Sequence, residues 1–253
     1  MSPPQDHQPD PLPVKLQALS QGEAHLWLAD AGPTLTAEAL ARHAERAPSE
    51  ERRPRASFRR AADWRRHVVA RGLVRAVLSS YVARPPQDWR FVQGPHGRPE
   101  LAPGEAPGDL RFNLSHAGDV AVCAVAAGRD IGVDVEALAR AGDVASVASR
   151  VLTDAERADM ASREGRDRDE RLISYWTLKE SVAKALGLGL SLDLTTAAFT
   201  FGPDGPRLAG RPFPARDAAG WSFTLHRPDP AHLVAAAAWG ASPTRFHVFQ
   251  HDA

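Results

Sequence analysis

Lysine is nearly missing from this 253-residue chain. Of 31 basic side chains, only Lys15, Lys179 and Lys184 are lysines, and the rest are arginines. Where any cation serves, the sequence writes Arg. A lysine pair five residues apart therefore marks a place that wants a compact ammonium rather than a planar fork. Cysteine is scarcer still: Cys123 stands alone, which excludes an internal disulfide framework and a cysteine-cluster zinc site. Neither sign of charge is in excess, since 31 basic residues meet 31 acidic ones. That excludes a globally basic nucleic-acid binder and an acidic-tail protein. No apolar run approaches the ~20 residues of a membrane span. The opening Met1–His7 has neither the charged start nor the apolar core of a secretory leader. The expectation is a cytoplasmic protein with no membrane partner.

What is present is ordinary for a folded chain: 43% apolar and 25% charged residues, enough for one large domain or two smaller ones with cores. Residues 1–13 hold five prolines and read as a disordered lead-in. His25–Ala29 reads as a first strand and Thr36–Ala47 as a short helix. A long helix is expected over Asp63–Ala83, with Val69, Leu73, Val77 and Tyr81 as its buried stripe and Pro85-Pro86 as its end. After a Gly/Pro-rich stretch come strand-like runs at 111–114, 120–126 and 131–135. Thr153–Glu156 is a capping box that opens a helix. A second long helix is expected over Asp169–Leu186, with Gly187 as its stop. Strands are expected at 197–201, 221–226, 233–239 and 245–250. The run 120–128 echoes 233–240, which suits two similar halves. The expected division is a lead-in at 1–13, an N-terminal half at 14–112 and a C-terminal half at 113–253.

Charge is segregated. Residues 52–75 carry nine arginines against Asp63, and residues 130–170 carry eleven acids against six arginines. That pattern fits a polyanion meeting a metal ion between two halves, and equally two solvated faces. Four short motifs bear on the choice. In Gly132-Val-Asp134-Val-Glu136, residues i and i+2 of a strand put two carboxylates on one face, a hard-oxygen pair suited to Mg²⁺. On a helix, Trp176, Glu180 and Lys184 share a face. The bland reading of Glu180 and Lys184 is a surface pair, against which stand the tryptophan on that face and the rarity of lysine. Asn113-Leu-Ser115-His116 offers a hydroxyl and an imidazole at a strand end, for phosphate oxygens or for capping the turn. Gly97-Arg98-Pro99 offers close backbone approach and a planar phosphate fork.

In this order the segments resemble the Sfp-type 4′-phosphopantetheinyl transferases. The resemblance rests on Gly97-Arg-Pro99, Phe112-Asn-Leu-Ser-His-Ala-Gly118, Gly132-Val-Asp-Val-Glu136 and Trp176-Thr-Leu-Lys-Glu-Ser-Val-Ala-Lys184, and it covers roughly residues 25 to 240. It implies an α+β chain of two similar halves related by a pseudo-twofold. Each half would be a small sheet with a long helix, and the active site would lie at their interface. It also implies a monomeric enzyme that moves the phosphopantetheine arm of coenzyme A onto a serine of an apo acyl or peptidyl carrier protein. Adenosine 3′,5′-bisphosphate would be released. By the match, Asp134, Glu136 and Glu180 would gather Mg²⁺ on the CoA diphosphate, and Glu180 would be the base for the carrier serine. Lys184 would hold a phosphate. Asn113 would lie against the cofactor, with Ser115 and His116 reaching its phosphates, and Gly97 and Arg98 would lie along the nucleotide. Where relatives carry a basic residue before the position of Phe58, this chain has Pro54, which leaves Arg53 or Arg55 to hold the CoA 3′-phosphate. The alternative is a CoA- or nucleotide-binding module of the same fold without transfer activity. Nucleic-acid binding through the arginine helix is disfavoured by the neutral whole and by too few interleaved aromatics.

Overall fold

The computed structural model describes residues 16–94, 96–105, 108–209 and 218–252. The lead-in expected over residues 1–13 lies outside them. In chain order the elements are β1 (Glu23–Asp30), α1 (Ala37–Glu45), α2 (Ala61–Tyr81), β2 (Phe91–Gln93), β3 (Pro99–Leu101), β4 (Leu110–Ala117), β5 (Val120–Ala127) and β6 (Asp130–Ala137). Then follow α3 (Ala141–Val147), α4 (Asp154–Ala161), α5 (Gly165–Leu186), β7 (Ala198–Gly202), β8 (Gly205–Ala209), β9 (Trp221–Asp229), β10 (His232–Trp239) and β11 (Arg245–Gln250).

Two sheets make the frame. One runs β11-β1-β5-β4 and the other β6-β10-β9. They pack face to face through Leu26, Leu28, Val122 and Ala124 on one side and Val133, Val135, Val234 and Ala236 on the other. Helix α2 covers the outer face of the first sheet through Val69, Leu73 and Val77, against Ala121, Cys123 and Val125. Helix α5 covers the second through Ile173, Leu178 and Val182, against Leu233, Ala235 and Ala237. The result is an α+β arrangement of four layers: helix, sheet, sheet, helix.

This layering explains the two echoing runs. Strand β5 lies inside the first sheet and β10 inside the second. Both of their faces are buried, one against a helix and one against the opposite sheet. A strand buried on both faces reads as a continuous apolar run rather than an alternating one. The helix stripe ends as expected at Tyr81, which is half-buried. Its hydroxyl accepts from Trp27 Nε1 at 2.8 Å and meets His25 Nδ1 at 2.7 Å.

Several local expectations shift. The boundary at 112–113 falls inside β4, because β4 and β5 both pair into the first sheet. By sheet membership the halves divide between β5 and β6, and β11 returns to pair in parallel with β1. Strand β4 runs on to Ala117, so Ser115 and His116 lie on the strand and not in the turn beyond it. Helix α5 begins at Gly165, four residues before the expected start, and stops at Gly187 with φ 68°. The capping box of α4 is present in both directions, with Glu156 N–H donating to Thr153 Oγ1 and Thr153 N–H to Glu156 Oε2. Helix α3 and the hairpin β2–β3 carry no amphipathic pattern long enough to announce them.

Candidate active site

The site forms where the edges of the two sheets meet. Strands β4 and β6 lie side by side with no backbone ladder between them. Side chains of β4 take the ladder's place. Val133 N–H donates to Asn113 Oδ1 at 2.8 Å, and Val135 N–H to Ser115 Oγ at 3.3 Å. Alternation along β4 sends both side chains toward the seam, and alternation along β6 brings Asp134 and Glu136 onto one face.

Helix α5 comes unusually close to β6 because Gly132 has no side chain. A Cβ there would stand 2.0 Å from the Ser181 carbonyl oxygen and 2.3 Å from the Ala185 nitrogen. This approach delivers the shared face of α5 to the carboxylates. Trp176 Nε1 donates to Glu136 Oε1 at 3.0 Å, and Arg140 donates to the same oxygen at 2.7 Å. Lys184 Nζ donates to Asp134 Oδ1 at 2.6 Å and to Ser115 Oγ at 2.8 Å. The Ser115 hydroxyl itself donates to Asp134 Oδ1 at 3.0 Å.

Three oxygens are left over. Asp134 Oδ2, Glu136 Oε2 and Glu180 Oε1 are buried without a hydrogen-bond partner. Burial pushes Glu180 up to about 7, the Asp134 charge adds to the rise, and Lys184 opposes it. Glu136 is raised by burial and then by Asp134, against the pull of Arg140 and Trp176. A further cation between crowded carboxylates relieves their mutual repulsion. Hard oxygen donors of this kind fit Mg²⁺. Among the described residues, no three His, Cys, Asp or Glu side chains are already drawn together as a metal cluster. Lys184 partners Asp134 Oδ1, and Arg140 and Trp176 partner Glu136 Oε1.

A cleft of about 570 Å³ opens over these groups, with Asp134, Glu136 and Lys184 at one end and Phe58, Arg66 and His67 at the other. The basic α2 and the acidic β6 thus line the same space. His116 stands exposed on the wall between them. Enclosure by the cleft, then the Arg66 and Lys184 charges, hold its imidazole below the usual range. A neighbouring cleft of about 260 Å³ continues from His67 and His116 to Gly97, Phe91 and Phe112.

The structure therefore gathers Asp134, Glu136, Glu180, Lys184, Ser115 and His116. The other expected residues are placed differently. Gly97 has φ 77° and turns the β2–β3 hairpin, its N–H donating to the Gly94 carbonyl. Asn113 borders a smaller cleft with Glu180 and Lys184, but its Oδ1 is engaged by β6. Arg98 points its guanidinium at four backbone carbonyls. Arg53 stacks over Phe58 at 4.9 Å, and Phe58 in turn packs on His67 at 5.2 Å. Arg55 turns back to the Phe58 carbonyl at 2.9 Å.

Lys179 is not at the site. It is fully buried, and its ammonium donates to the Leu194 and Ala197 carbonyls at 2.7 and 2.8 Å and pairs with Glu156 at 2.8 Å. Three donors meet three acceptors, which is the compact-ammonium chemistry that the lysine count singled out, used here for structure. Sequence reasoning passed over His67 and Arg140. His67 sits in an arginine-rich helix whose exposed and inward positions look alike. Arg140 follows Glu136 by four residues across a strand end, where no periodicity applies.

The chain is similar to known proteins along most of its length. A family model described as the 4′-phosphopantetheinyl transferase superfamily matches residues 130–238, and one described as 4′-phosphopantetheinyl transferase, N-terminal, matches residues 34–128. The chain is 32% identical to the 4′-phosphopantetheinyl transferase HetI of Nostoc sp., over 94% of this chain and 97% of that protein. It is 29% identical to the 4′-phosphopantetheinyl transferase Sfp of Bacillus subtilis, over 62% of this chain and 67% of that protein. Among solved structures, a holo-(acyl-carrier-protein) synthase from Bacillus anthracis in complex with CoA (3′,5′-ADP) is 20% identical. That likeness has a TM-score of 0.38 and covers 45% of this chain and 96% of the other.

Proposed function

This chain belongs to the 4′-phosphopantetheinyl transferases of the Sfp type, and we propose that it moves the phosphopantetheine arm of coenzyme A onto a serine of an apo acyl or peptidyl carrier protein. The observation that carries this reading is one cleft. It brings together the carboxylates of β6, Lys184 of α5 and Ser115 of β4, and Lys184 also borders the smaller cleft that Glu180 lines, with three buried carboxylate oxygens left unpartnered.

The transfer forms a bond from the serine oxygen to the β-phosphorus of CoA. It breaks the bond from that phosphorus to the bridging oxygen, which leaves on adenosine 3′,5′-bisphosphate. Such transfer needs positioning and charge more than covalent help from the protein. Glu180, which burial and Asp134 push up to about 7 in the metal-free chain, is the residue that takes the serine proton. Lys184 presents its ammonium from the cleft edge to the diphosphate, exchanging Asp134 and Ser115 for phosphate oxygens. Ser115 and His116 add donors along the same wall. Asp134, Glu136 and Glu180 are the residues that would hold Mg²⁺. When bound, the ion supplies positive charge to the diphosphate oxygens.

The aromatic-edged cleft beyond His116 suits the nucleotide. Arg53, beside Phe58 and His67, is better placed than Arg55 for the 3′-phosphate. Arg59 and Arg60 are exposed next to the cleft mouth and offer a cationic surface to an acidic carrier. No described helix is long and apolar enough to cross a membrane, and the one cysteine is buried.

The test is incubation with CoA, Mg²⁺ and an apo carrier protein, read by mass spectrometry of the carrier. A carrier that gains the arm supports the transferase. CoA binding with no gain on any carrier supports a binding module of the same fold instead.

A further inference from the structure

Arg98 lies beside the site, yet its donors are spent on the protein itself. Its Nη1 donates to the carbonyls of Lys184 at 2.5 Å and Ala185 at 3.2 Å. Its Nη2 donates to the carbonyls of Phe112 at 3.0 Å and Ile131 at 3.2 Å. The remaining Nε is buried without a partner. The first two carbonyls belong to the last turn of α5, where the Lys184 carbonyl also accepts the Gly187 N–H at 3.2 Å. A cation there also meets the negative end of the helix dipole. The third carbonyl is on β4 and the fourth on β6.

These three elements are the ones that build the cleft. Phe112 lies three residues before Ser115 on β4, and Ile131 three residues before Asp134 on β6. Lys184 is itself one of the residues held. No ladder joins β4 to β6, so one guanidinium ties together the elements that carry Ser115, Asp134 and Lys184. The planar fork is what makes this possible, because it reaches acceptors on two sides at once. A nucleotide phosphate can take an Nη–H from Arg98 only by displacing one of these carbonyls, and the Nε–H is buried.

We propose that Arg98 is a positioning residue: it clamps the C-terminal turn of α5 to the β4–β6 seam and so sets where the Lys184 ammonium stands, rather than binding the nucleotide. The proposal rests on the reading that Lys184 faces a CoA phosphate. Contact between Lys184 and Asp134 at 2.6 Å leaves little tolerance. Misplacement of a reacting or charge-bearing group by about 1 Å costs up to about a hundredfold in rate.

The experiment is a double-mutant cycle on the full chain with Arg98→Ala, Lys184→Met and the pair. Its readouts are kcat for carrier modification and, by calorimetry, affinity for adenosine 3′,5′-bisphosphate. The expected result is a kcat loss of about tenfold or more for Arg98→Ala in the parent, shrinking to less than about twofold in the Lys184→Met background. Nucleotide affinity in that background should be unchanged. Equal kcat losses in both backgrounds, or nucleotide binding still weakened about tenfold by Arg98→Ala when Lys184 is gone, would overturn the proposal. If Arg98→Ala does not fold, Arg98→Gln goes through the same cycle with the same criteria. A parent that neither binds CoA nor modifies a carrier overturns the reading of Lys184, whereas a working parent with additive losses overturns only the role given to Arg98.

Discussion

Replacing Glu180 with glutamine tests the electrostatics of the site without changing its shape. The Glu180 carboxyl is pushed from 4.5 up to about 7 by burial and by Asp134, with Lys184 in opposition. A folded-state pKa above the unfolded one means that the folded chain binds the extra proton. The stability this contributes is fully present below pH 4.5 and is lost as pH rises through about 7. A shift of that size corresponds to about 3 kcal/mol at ~1.4 kcal/mol per unit. Other groups titrate in the same window. Burial holds His43 and His251 down to about 3 and about 4, so their contribution has the opposite sense and fades as pH falls below 6.5. These cancel in the difference between Glu180→Gln and the parent. Urea unfolding in a metal chelator, from pH 5 to pH 8, should show the variant gaining on the parent by about 2–3 kcal/mol across the series. Added Mg²⁺ should restore the parent at pH 8 and leave the variant little changed. Carrier modification by the variant should fall by about 10²- to 10⁴-fold, the usual worth of a general base. A flat stability difference with pH, or transfer within a few-fold of the parent, would refute the assignment of Glu180 as ligand and base.

Other outcomes follow from the same contacts. Lys179→Met should cost about 3–5 kcal/mol in urea unfolding, because it leaves Glu156 charged and buried alone; a loss below about 1 kcal/mol would contradict the staple described here. Gly132→Ala should depress transfer and cost at least about 1–3 kcal/mol, since the new methyl meets backbone atoms of α5 that cannot step aside; a neutral result would mean that α5 does not need this approach. Arg53→Ala should weaken CoA binding more than Arg55→Ala does, measured by calorimetry, and the reverse order would exchange their roles. Glu substitutions at Arg59 and Arg60 should lower carrier affinity and flatten its salt dependence while leaving CoA binding intact; an unchanged salt slope removes this face from carrier docking.

The sequence was most legible where a local rule and a global need coincide. The α2 stripe, the α4 capping box and the Gly187 stop are written in single residues whose physics is local. The carboxylate pair of β6 and the shared face of α5 were readable because strand and helix periods are fixed. What no period encodes is how two elements meet. Gly132 in its motif gives no hint that its missing side chain admits α5. Asn113 and Ser115 read as ligands or turn caps because the gap between two sheet edges, which their side chains fill, is a tertiary fact. Arg98 reads as a phosphate fork for the same reason, since its carbonyl partners lie 14 to 87 residues away. The lysine count pointed to the right helix and then divided. Lys184 faces the cleft, and Lys179 is a buried structural ammonium.

The central claim is that this cleft transfers the arm of CoA and does not merely bind the nucleotide. The most direct measurement is the mass of an apo carrier protein after incubation with the chain, CoA and Mg²⁺, across carriers from fatty acid, polyketide, nonribosomal peptide and lysine biosynthesis. The account predicts that at least one carrier gains a single phosphopantetheine arm on serine, with release of adenosine 3′,5′-bisphosphate and loss of both in Glu180→Gln. Firm CoA binding with every carrier left unmodified would contradict it.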